Sequence, residues 1–209
     1  MNCKIGLKFS AAAIALLFAT AVGLPTAKAQ VIDLGSFGGH EYFYDTGSYV
    51  SFDAASLAAQ TLVGGQLVSI TSAAENNFLI SAITPFASSQ LAFAWTGLTR
   101  PTSNDPFGWV SGEPFTYSNW RPAGVGETFA EPTNGSGETN GGFYVNSNNE
   151  PQGPVPVGYW FDTFSVNSDV PFNAIYEVVP EPSTWVCVTL GGVLVLVVEA
   201  RFGKSKRQS

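Results

Sequence analysis

Apolar residues recur at helical spacing in two segments of the first half of the chain. Ser51 can cap a helix whose apolar positions continue to Leu62. Ser72 and Glu75 have the spacing of a capping box, and the apolar positions behind them stop before Pro85, which cannot continue a helix. The pattern therefore predicts two helices, and it predicts that the folded part of the chain begins with helical structure.

Short or alternating apolar runs in the rest of the chain are typical of β-strands. Strands are predicted at Gln66–Ile70, Leu91–Leu98, Phe107–Val110, Gly158–Phe164 and Ala174–Val179. Between the third and fourth of these strands, residues 112–156 are rich in Gly, Asn, Pro, Ser and Thr, which indicates a functional loop region or a linker. Aromatic residues within this stretch argue against a linker. Two helices, then strands, long loops and further strands, predict an α+β fold.

The N-terminal segment has the three parts of a secretory signal peptide. Lys4 and Lys8 supply positive charge, an apolar stretch follows, and Ala27 and Ala29 form a small-residue cleavage site. We therefore expect a signal peptide at residues 1–29, with cleavage after Ala29. An N-terminal membrane anchor is the alternative, although the apolar stretch is short for a span.

Residues 180–209 also have three parts: a Pro180-Glu181-Pro182 motif, an apolar segment at 184–198 and a basic tail. This arrangement resembles the PEP-CTERM sorting signal of Gram-negative bacteria. The resemblance implies an exported protein that is anchored transiently in the inner membrane and processed by an exosortase-type protease. It would then reach the cell surface or the extracellular matrix. A retained tail anchor is the alternative, although the apolar segment gives a helix of only about 22 Å.

The segment between these two ends, residues 30–179, is long enough for one domain and is strongly acidic. It carries two arginines and no lysine against fourteen Asp and Glu residues, which gives a formal net charge of −12. Such a surface excludes nucleic acid as a partner, because phosphate binding depends on Lys and Arg. The acidity suits either solubility or ligation of a hard cation. Both cysteines lie outside this segment, so the domain must fold without a disulfide.

The candidates for catalysis are few, and we therefore expect no enzyme activity. His40, the single histidine, lies beside two glycines and is interpreted as a solvated turn residue. Neither a Ser-His-Asp arrangement nor a cysteine nucleophile can be assembled in this segment. Paired carboxylates could support glycoside hydrolysis, but fourteen acidic residues make some pairs inevitable.

The predicted elements, in this order, resemble the C-type lectin-like domain over residues 42–178. The stretches that carry the resemblance are Gly64–Leu79, Trp95–Leu98, Trp109–Trp120 and Tyr159–Asp162, with Ile175–Glu177 at the end of the last strand. The resemblance implies a core built on the tryptophans, including Trp95, Trp109 and Trp120. Sugar-stacking aromatics are more plausible in the loop region, at Phe129, Phe143, Tyr144 and Tyr159, although packing is the alternative for each. The family's disulfides are missing here.

The resemblance also implies a calcium site in the long loop, where the ion would bind two vicinal sugar hydroxyls. Glu131, Pro132 and Thr133 are similar to the family's E-P-N triplet, and Pro132 is a candidate cis proline. Asn134 could supply the amide that Thr133 lacks, Glu138 is the candidate for the later acid, and Asp162 matches the W-N-D aspartate. Phe161 replaces the asparagine of that motif. Glu127 is an alternative to Glu131, and solvated loop carboxylates are the alternative to a site.

The resemblance implies a second, structural calcium ion between Glu75 on the second helix and Glu177 on the last strand. The alternative is a capping-box glutamate and an exposed strand-end glutamate. Taken together, the two resemblances imply an exported lectin-like module that binds polysaccharide, with exopolysaccharide as the expected partner and calcium as the cofactor. A structural or protein-interaction domain that kept the fold without a sugar site is the alternative.

Overall fold

The computed structural model describes residues 30–87, 92–146, 153–167 and 169–180. The predicted signal peptide and the sorting motif beyond Pro180 lie outside these residues. The strands are β1 (Val31–Phe37), β2 (His40–Tyr49), β3 (Gln66–Leu67), β4 (Ala92–Thr99), β5 (Gly108–Trp109), β6 (Glu138–Asn146), β7 (Trp160–Phe164) and β8 (Phe172–Val178). The helices are α1 (Phe52–Leu62), α2 (Ala73–Ile83) and a short 3₁₀ helix at Thr84–Phe86.

The two predicted helices form, and local signals set their ends. Ser51 and Ser72 are the N-caps, and each hydroxyl accepts a hydrogen bond from a backbone N–H three residues on. Gly64 follows α1 with a φ of +69°, a left-handed conformation that glycine adopts without steric cost. Glu75 completes its capping box differently from the standard pattern, because its carboxylate accepts from the Thr71 N–H.

The strands form one sheet in the order β1-β2-β8-β4-β6-β7, with β3 added beside β8 and β5 beside β4. Most pairs are antiparallel, and β4 with β8 is parallel. The α+β class is confirmed, with a mixed sheet rather than a purely antiparallel one. Within the described residues, no helix combines the length and apolar character needed to cross a membrane.

Alternation along the central strands sorts the core into two layers, one on each face of the sheet. On β6, Phe143 and Val145 pack into one layer, and Tyr144 packs into the other. Helix α2 covers the first layer with Leu79, and α1 covers the second with Ala55. The sheet is therefore buried on both sides, which leaves its edges and loops for function.

Three expectations from the sequence are wrong. The domain begins with the β1–β2 hairpin rather than with helical structure. Residues 112–156 contain a nine-residue strand, β6, because Gly141 and Gly142 let Leu98 and Phe161 pack directly against its backbone. His40 is the first residue of β2, where its Nδ1 lies 3.4 Å from Glu177 Oε2, and is not a solvated turn histidine.

The tryptophans pack in the core as predicted. Trp95 and Trp109 are buried, and Trp120 packs against the buried Trp160 with ring centroids 5.9 Å apart. Among the loop aromatics, Phe143 and Tyr144 are buried and Tyr159 packs against the second layer. Phe129 differs, because 71% of its surface is exposed.

Candidate functional site

A buried guanidinium organises the loop region where the sugar site was predicted. Arg100 directly follows β4, and its backbone N–H donates to Thr139 O. Its Nη1 donates to Asn134 Oδ1 at 2.6 Å and its Nη2 to Asp162 Oδ2 at 2.8 Å. Its Nε and Nη2 both donate to the Glu138 backbone carbonyl. Arg100 therefore joins three segments that are distant in the chain.

Asp162 is the carboxylate at the centre of this arrangement. It lies on β7 opposite Gly141, and its side chain is fully buried. Its Oδ1 accepts from the Thr133 N–H at 2.8 Å, and its Oδ2 accepts from the Asn134 N–H at 2.9 Å. These bonds to both carboxylate oxygens hold the loop against β7.

Glu138, the first residue of β6, closes the turn that follows. Its Oε2 accepts from the Thr133 hydroxyl at 2.8 Å and from the Gly135 N–H at 2.6 Å. Asn134 has a φ of +57°, a left-handed conformation that asparagine tolerates better than most residues. Arg100, Thr133, Asn134, Glu138 and Asp162 are called the Arg100 cluster below.

A second buried guanidinium holds the start of the same loop. Arg121 is fully buried, and its Nη2 lies 2.9 Å from Glu127 Oε2 and 2.9 Å from Glu131 Oε1. Its Nη1 donates to the Val125 carbonyl. Arg121, Glu127 and Glu131 are called the Arg121 cluster. The Glu131–Pro132 peptide bond is cis, as predicted.

Glu131 has an unusual protonation equilibrium because it is buried beside another carboxylate. Its pKa is raised to about 7, chiefly by burial and then by a hydrogen bond with Asp162, while Arg121 opposes the rise. Its Oε2 also accepts from the Thr133 N–H at 3.2 Å. Glu131 therefore links the Arg121 cluster to the Arg100 cluster.

The residues predicted for the sugar site, Glu131, Thr133, Asn134, Glu138 and Asp162, are thus brought together in one network. Their arrangement does not fit a calcium ion. A guanidinium already occupies the space beside Asp162 and Asn134, and both Asp162 oxygens already accept hydrogen bonds. Within the described ranges, no group of three or more Asp, Glu, His or Cys side chains is arranged to hold a metal. Phe161 points away into the second core layer.

An open cleft adjoins the Arg100 cluster. Its volume is about 420 Å³, within the range of small-molecule sites. The lining comprises Thr99, Arg100, Pro101, Pro106, Phe107, Gly108 and Trp109. The Arg100 guanidinium lies 4.0 Å from the centre of the Phe107 ring, a cation–π contact that fixes the side chain between cleft and loop.

The predicted structural calcium residues also approach a common region, which includes Tyr42. The Tyr42 hydroxyl donates to Glu75 Oε1 at 2.7 Å, and Tyr42 pairs with Glu177 across β2 and β8. Glu177 Oε1 accepts from the Ser69 N–H and from Gln66 Nε2. These residues, with Glu75, are called the Glu75–Glu177 cluster.

Both glutamates of this cluster are buried, so Glu177 is not the exposed strand-end residue of the alternative interpretation. Neutral donors occupy the oxygens that a cation would need, including the Thr71 N–H and hydroxyl on Glu75 Oε2. This arrangement does not fit calcium either. Burial raises the pKa of Glu177, and the hydrogen bonds from Ser69 oppose that shift.

Sequence reasoning missed Arg100 and Arg121 as site residues. A signal was present, because they are the only Arg or Lys residues in an acidic segment of some 150 residues. Charged side chains are rarely buried without a partner, so two isolated arginines among many acids are strong candidates for internal ion pairs.

This sheet, its two helices and its long ordered loop have the arrangement of the C-type lectin fold. The family model described as "Lectin C-type domain" matches residues 48–150. The chain is 33% identical over 97 residues to lithostathine-2 of Mus musculus, across 46% of this chain and 56% of that protein. The chain spans about half the length of the curated relatives it matches first.

Solved structures agree on the fold. Human lithostathine superposes with a TM-score of 0.51 at 18% identity, covering 76% of this chain and 97% of that one. The Ca²⁺-independent C-type lectin SPL-2 from Saxidomus purpuratus gives a TM-score of 0.53 at 20% identity, covering 70% and 91%. The C-type lectin fold predicted from the sequence is therefore confirmed.

Proposed function

We propose that this domain is a carbohydrate-binding module whose glycan-binding surface comprises the Glu131–Glu138 loop and the adjoining cleft. The observation that carries the proposal is an ordered polar loop, held by Arg100 and Asp162, beside a cleft of about 420 Å³ in a C-type lectin fold. Thr133 and Asn134 are exposed on that loop. A loop already held in place loses little entropy when a ligand binds.

The chemistry of this surface suits a sugar ring. Phe107 offers a half-buried aromatic face in the cleft, and Phe129 offers an exposed one two residues before Glu131. Aromatic rings pack on the apolar faces of sugars, while hydroxyl, amide and carboxylate groups bond to sugar hydroxyls. Calcium is not required in this proposal, because the carboxylate and amide that would ligate it are held by Arg100.

Charge favours a neutral polysaccharide over an acidic one. Residues 30–179 carry fourteen acids and two arginines, and both arginines are buried in ion pairs. A polyanion would meet like charge without a free guanidinium to bind it. In the same proposal the protein is exported and sorted through its PEP-CTERM-like C-terminus, which places it where exopolysaccharide is the available partner.

Retention of the purified protein on immobilised neutral and uronate-containing polysaccharides, with calcium and with chelator, tests this function. We expect retention on a neutral polysaccharide that persists in chelator. Phe129→Ala should weaken it severalfold, and Phe86→Ala is a matched control, since Phe86 is an exposed phenylalanine on the 3₁₀ helix. Absence of retention on every polysaccharide, or equal loss in both variants, would contradict the proposal.

One observation favours a second candidate, a structural or protein-interaction domain without a sugar site. Asp162 and Glu131, the carboxylates best placed for ligand binding, are engaged in internal ion pairs. A domain of this kind should bind a protein partner and retain no glycan. The same retention experiment, followed by co-purification from the envelope fraction of the source cells, distinguishes the two.

A further inference from the structure

We propose that Arg100 is a built-in replacement for a bound cation, and that removing its guanidinium converts the Arg100 cluster into a calcium site. The loop collects oxygen ligands, yet a guanidinium lies among them where a metal ion would bind. The proposal rests on these two observations. It does not depend on glycan binding, because the test measures only the thermal stability of the protein with and without calcium.

The first step is the identity of the atoms that Arg100 collects. Its guanidinium contacts a carboxylate oxygen of Asp162, an amide oxygen of Asn134 and the backbone carbonyl of Glu138. Carboxylate, amide and backbone carbonyl oxygens are the ligand types that calcium takes in proteins. A cation touching the same three oxygens would have to lie where the guanidinium now lies.

The second step is the supply of further oxygens around that position. The Thr133 hydroxyl lies 2.8 Å from Glu138 Oε2 and 3.5 Å from Asp162 Oδ1. Glu131 lies close to Asp162, because Glu131 Oε2 and Asp162 Oδ1 both accept from the Thr133 N–H. Without Arg100, the buried Asp162 carboxylate would lose the guanidinium that compensates its charge.

The third step is the way Arg100 is held. Only 2% of its side chain is exposed, and the Phe107 ring lies 4.0 Å from the guanidinium carbon. The positive charge is therefore permanent, fixed in position and independent of solution conditions, since the guanidinium does not lose its proton. A free ion would have to displace a covalently attached competitor.

The experiment is thermal unfolding of the full chain in chelator and in millimolar calcium, for the wild type, Arg100→Ala, Arg100→Gln and the double variant Arg100→Ala/Asp162→Asn. We expect no calcium response in the wild type. Both single variants should melt several degrees lower in chelator and recover most of that loss in calcium, because an ion that binds only the folded state stabilises it. Magnesium should not substitute, because it demands a tighter octahedral geometry.

The double variant is the matched control, since it lacks the central carboxylate and should not respond to calcium. If Arg100→Ala is unfolded in chelator, folding in calcium supports the proposal, and failure to fold in both solutions counts against it. Two results overturn it: neither single variant responds to calcium, or the wild type responds as strongly as they do.

Discussion

The Arg100 cluster and the Glu75–Glu177 cluster solve the same problem in different ways. Each places carboxylates in the interior, where an uncompensated charge is costly. In the first, a guanidinium lies 2.8 Å from Asp162 and supplies a full positive charge. In the second, Glu75 and Glu177 accept bonds mostly from neutral donors: Tyr42, Thr71, Ser69 and Gln66. The sole basic contact there is His40, within the described residues.

Buried carboxylates can therefore be stabilised by an opposite charge or by neutral hydrogen-bond donors, with different consequences for substitutions. In an ion pair each group compensates the charge of the other. Removal of one therefore leaves the other buried with an uncompensated charge. Neutral donors divide the stabilisation among several weaker bonds. This difference predicts which substitutions reduce the free energy of unfolding most, and unfolding measurements test it.

The largest expected effect is the loss of the Arg100 partner. Asp162→Asn keeps the side-chain shape but leaves a buried guanidinium without its counter-charge, and should reduce the free energy of unfolding by about 3–5 kcal/mol. Glu75→Gln is the matched change in the other cluster and should cost about 1–2 kcal/mol. Urea unfolding of both variants checks the difference. Equal losses would show that charge compensation does not distinguish the clusters.

The next effect is the pH dependence contributed by Glu131. Its pKa is about 7 in the folded state, against 4.5 for an ordinary glutamate, so the folded state binds more protons between these values. Its contribution to stability is therefore complete below about pH 4.5 and is lost as the pH rises through 7.

Glu131→Gln should remove this part of the slope. After allowance for solvent screening the change amounts to on the order of 1–2 kcal/mol. Urea unfolding of the wild type and the variant at several pH values between 4.5 and 8 gives the comparison, and Glu177 keeps its own contribution in both proteins. Identical slopes in wild type and variant would contradict the raised pKa of Glu131.

A smaller effect is expected in the hydrogen-bonded cluster. Tyr42→Phe removes the donor 2.7 Å from Glu75 Oε1 but leaves the Thr71 bonds to Oε2, and should cost about 1 kcal/mol. Chemical unfolding measures the loss. Tyr44→Phe removes a comparable hydroxyl bond to Asn173 and serves as a control without a carboxylate partner. A loss for Tyr42→Phe several times larger than for Tyr44→Phe would mean that this bond resembles the Arg100 pair.

The smallest effect is expected for the more exposed of the two ion pairs of Arg121. Glu127 has 42% of its side chain exposed, whereas Glu131 has 8% exposed, although both contact Arg121 at 2.9 Å. Glu127→Gln should therefore cost less than about 0.5 kcal/mol, because solvent screens an exposed pair. Thermal unfolding at low and high salt measures it. A loss above that of Tyr42→Phe would contradict a role for burial.

Much of the fold could be predicted because its signals are local. Ser51 and Ser72 cap their helices with donors three residues away, and the predicted strands at Gly158–Phe164 and Ala174–Val179 agree with β7 and β8 to within two residues. The β1–β2 hairpin and β6 were missed, because glycines interrupt their apolar patterns and because β2 and β6 pair with the distant strands β8 and β4.

The candidate site was predicted in part. Glu131, Thr133, Asn134, Glu138 and Asp162 do meet, since the motif order places the loop beside β7. The ion that would join them was predicted from resemblance, and the side chain that joins them instead comes from the end of β4. Its role as a glycan-binding site stays a prediction.

The amino-acid sequence by itself determined the helix caps, the buried tryptophans and the acidic composition, because each follows from nearby residues or from composition. The C-type lectin fold was indicated by the resemblance of several motifs in order. Tertiary structure alone decided how the buried carboxylates are compensated. Arg100 and Asp162 are 62 residues apart, and Tyr42 and Glu75 are 33 apart. No local pattern links such pairs. Only the register of β4, β6 and β7 places the Arg100 guanidinium beside the Asp162 carboxylate.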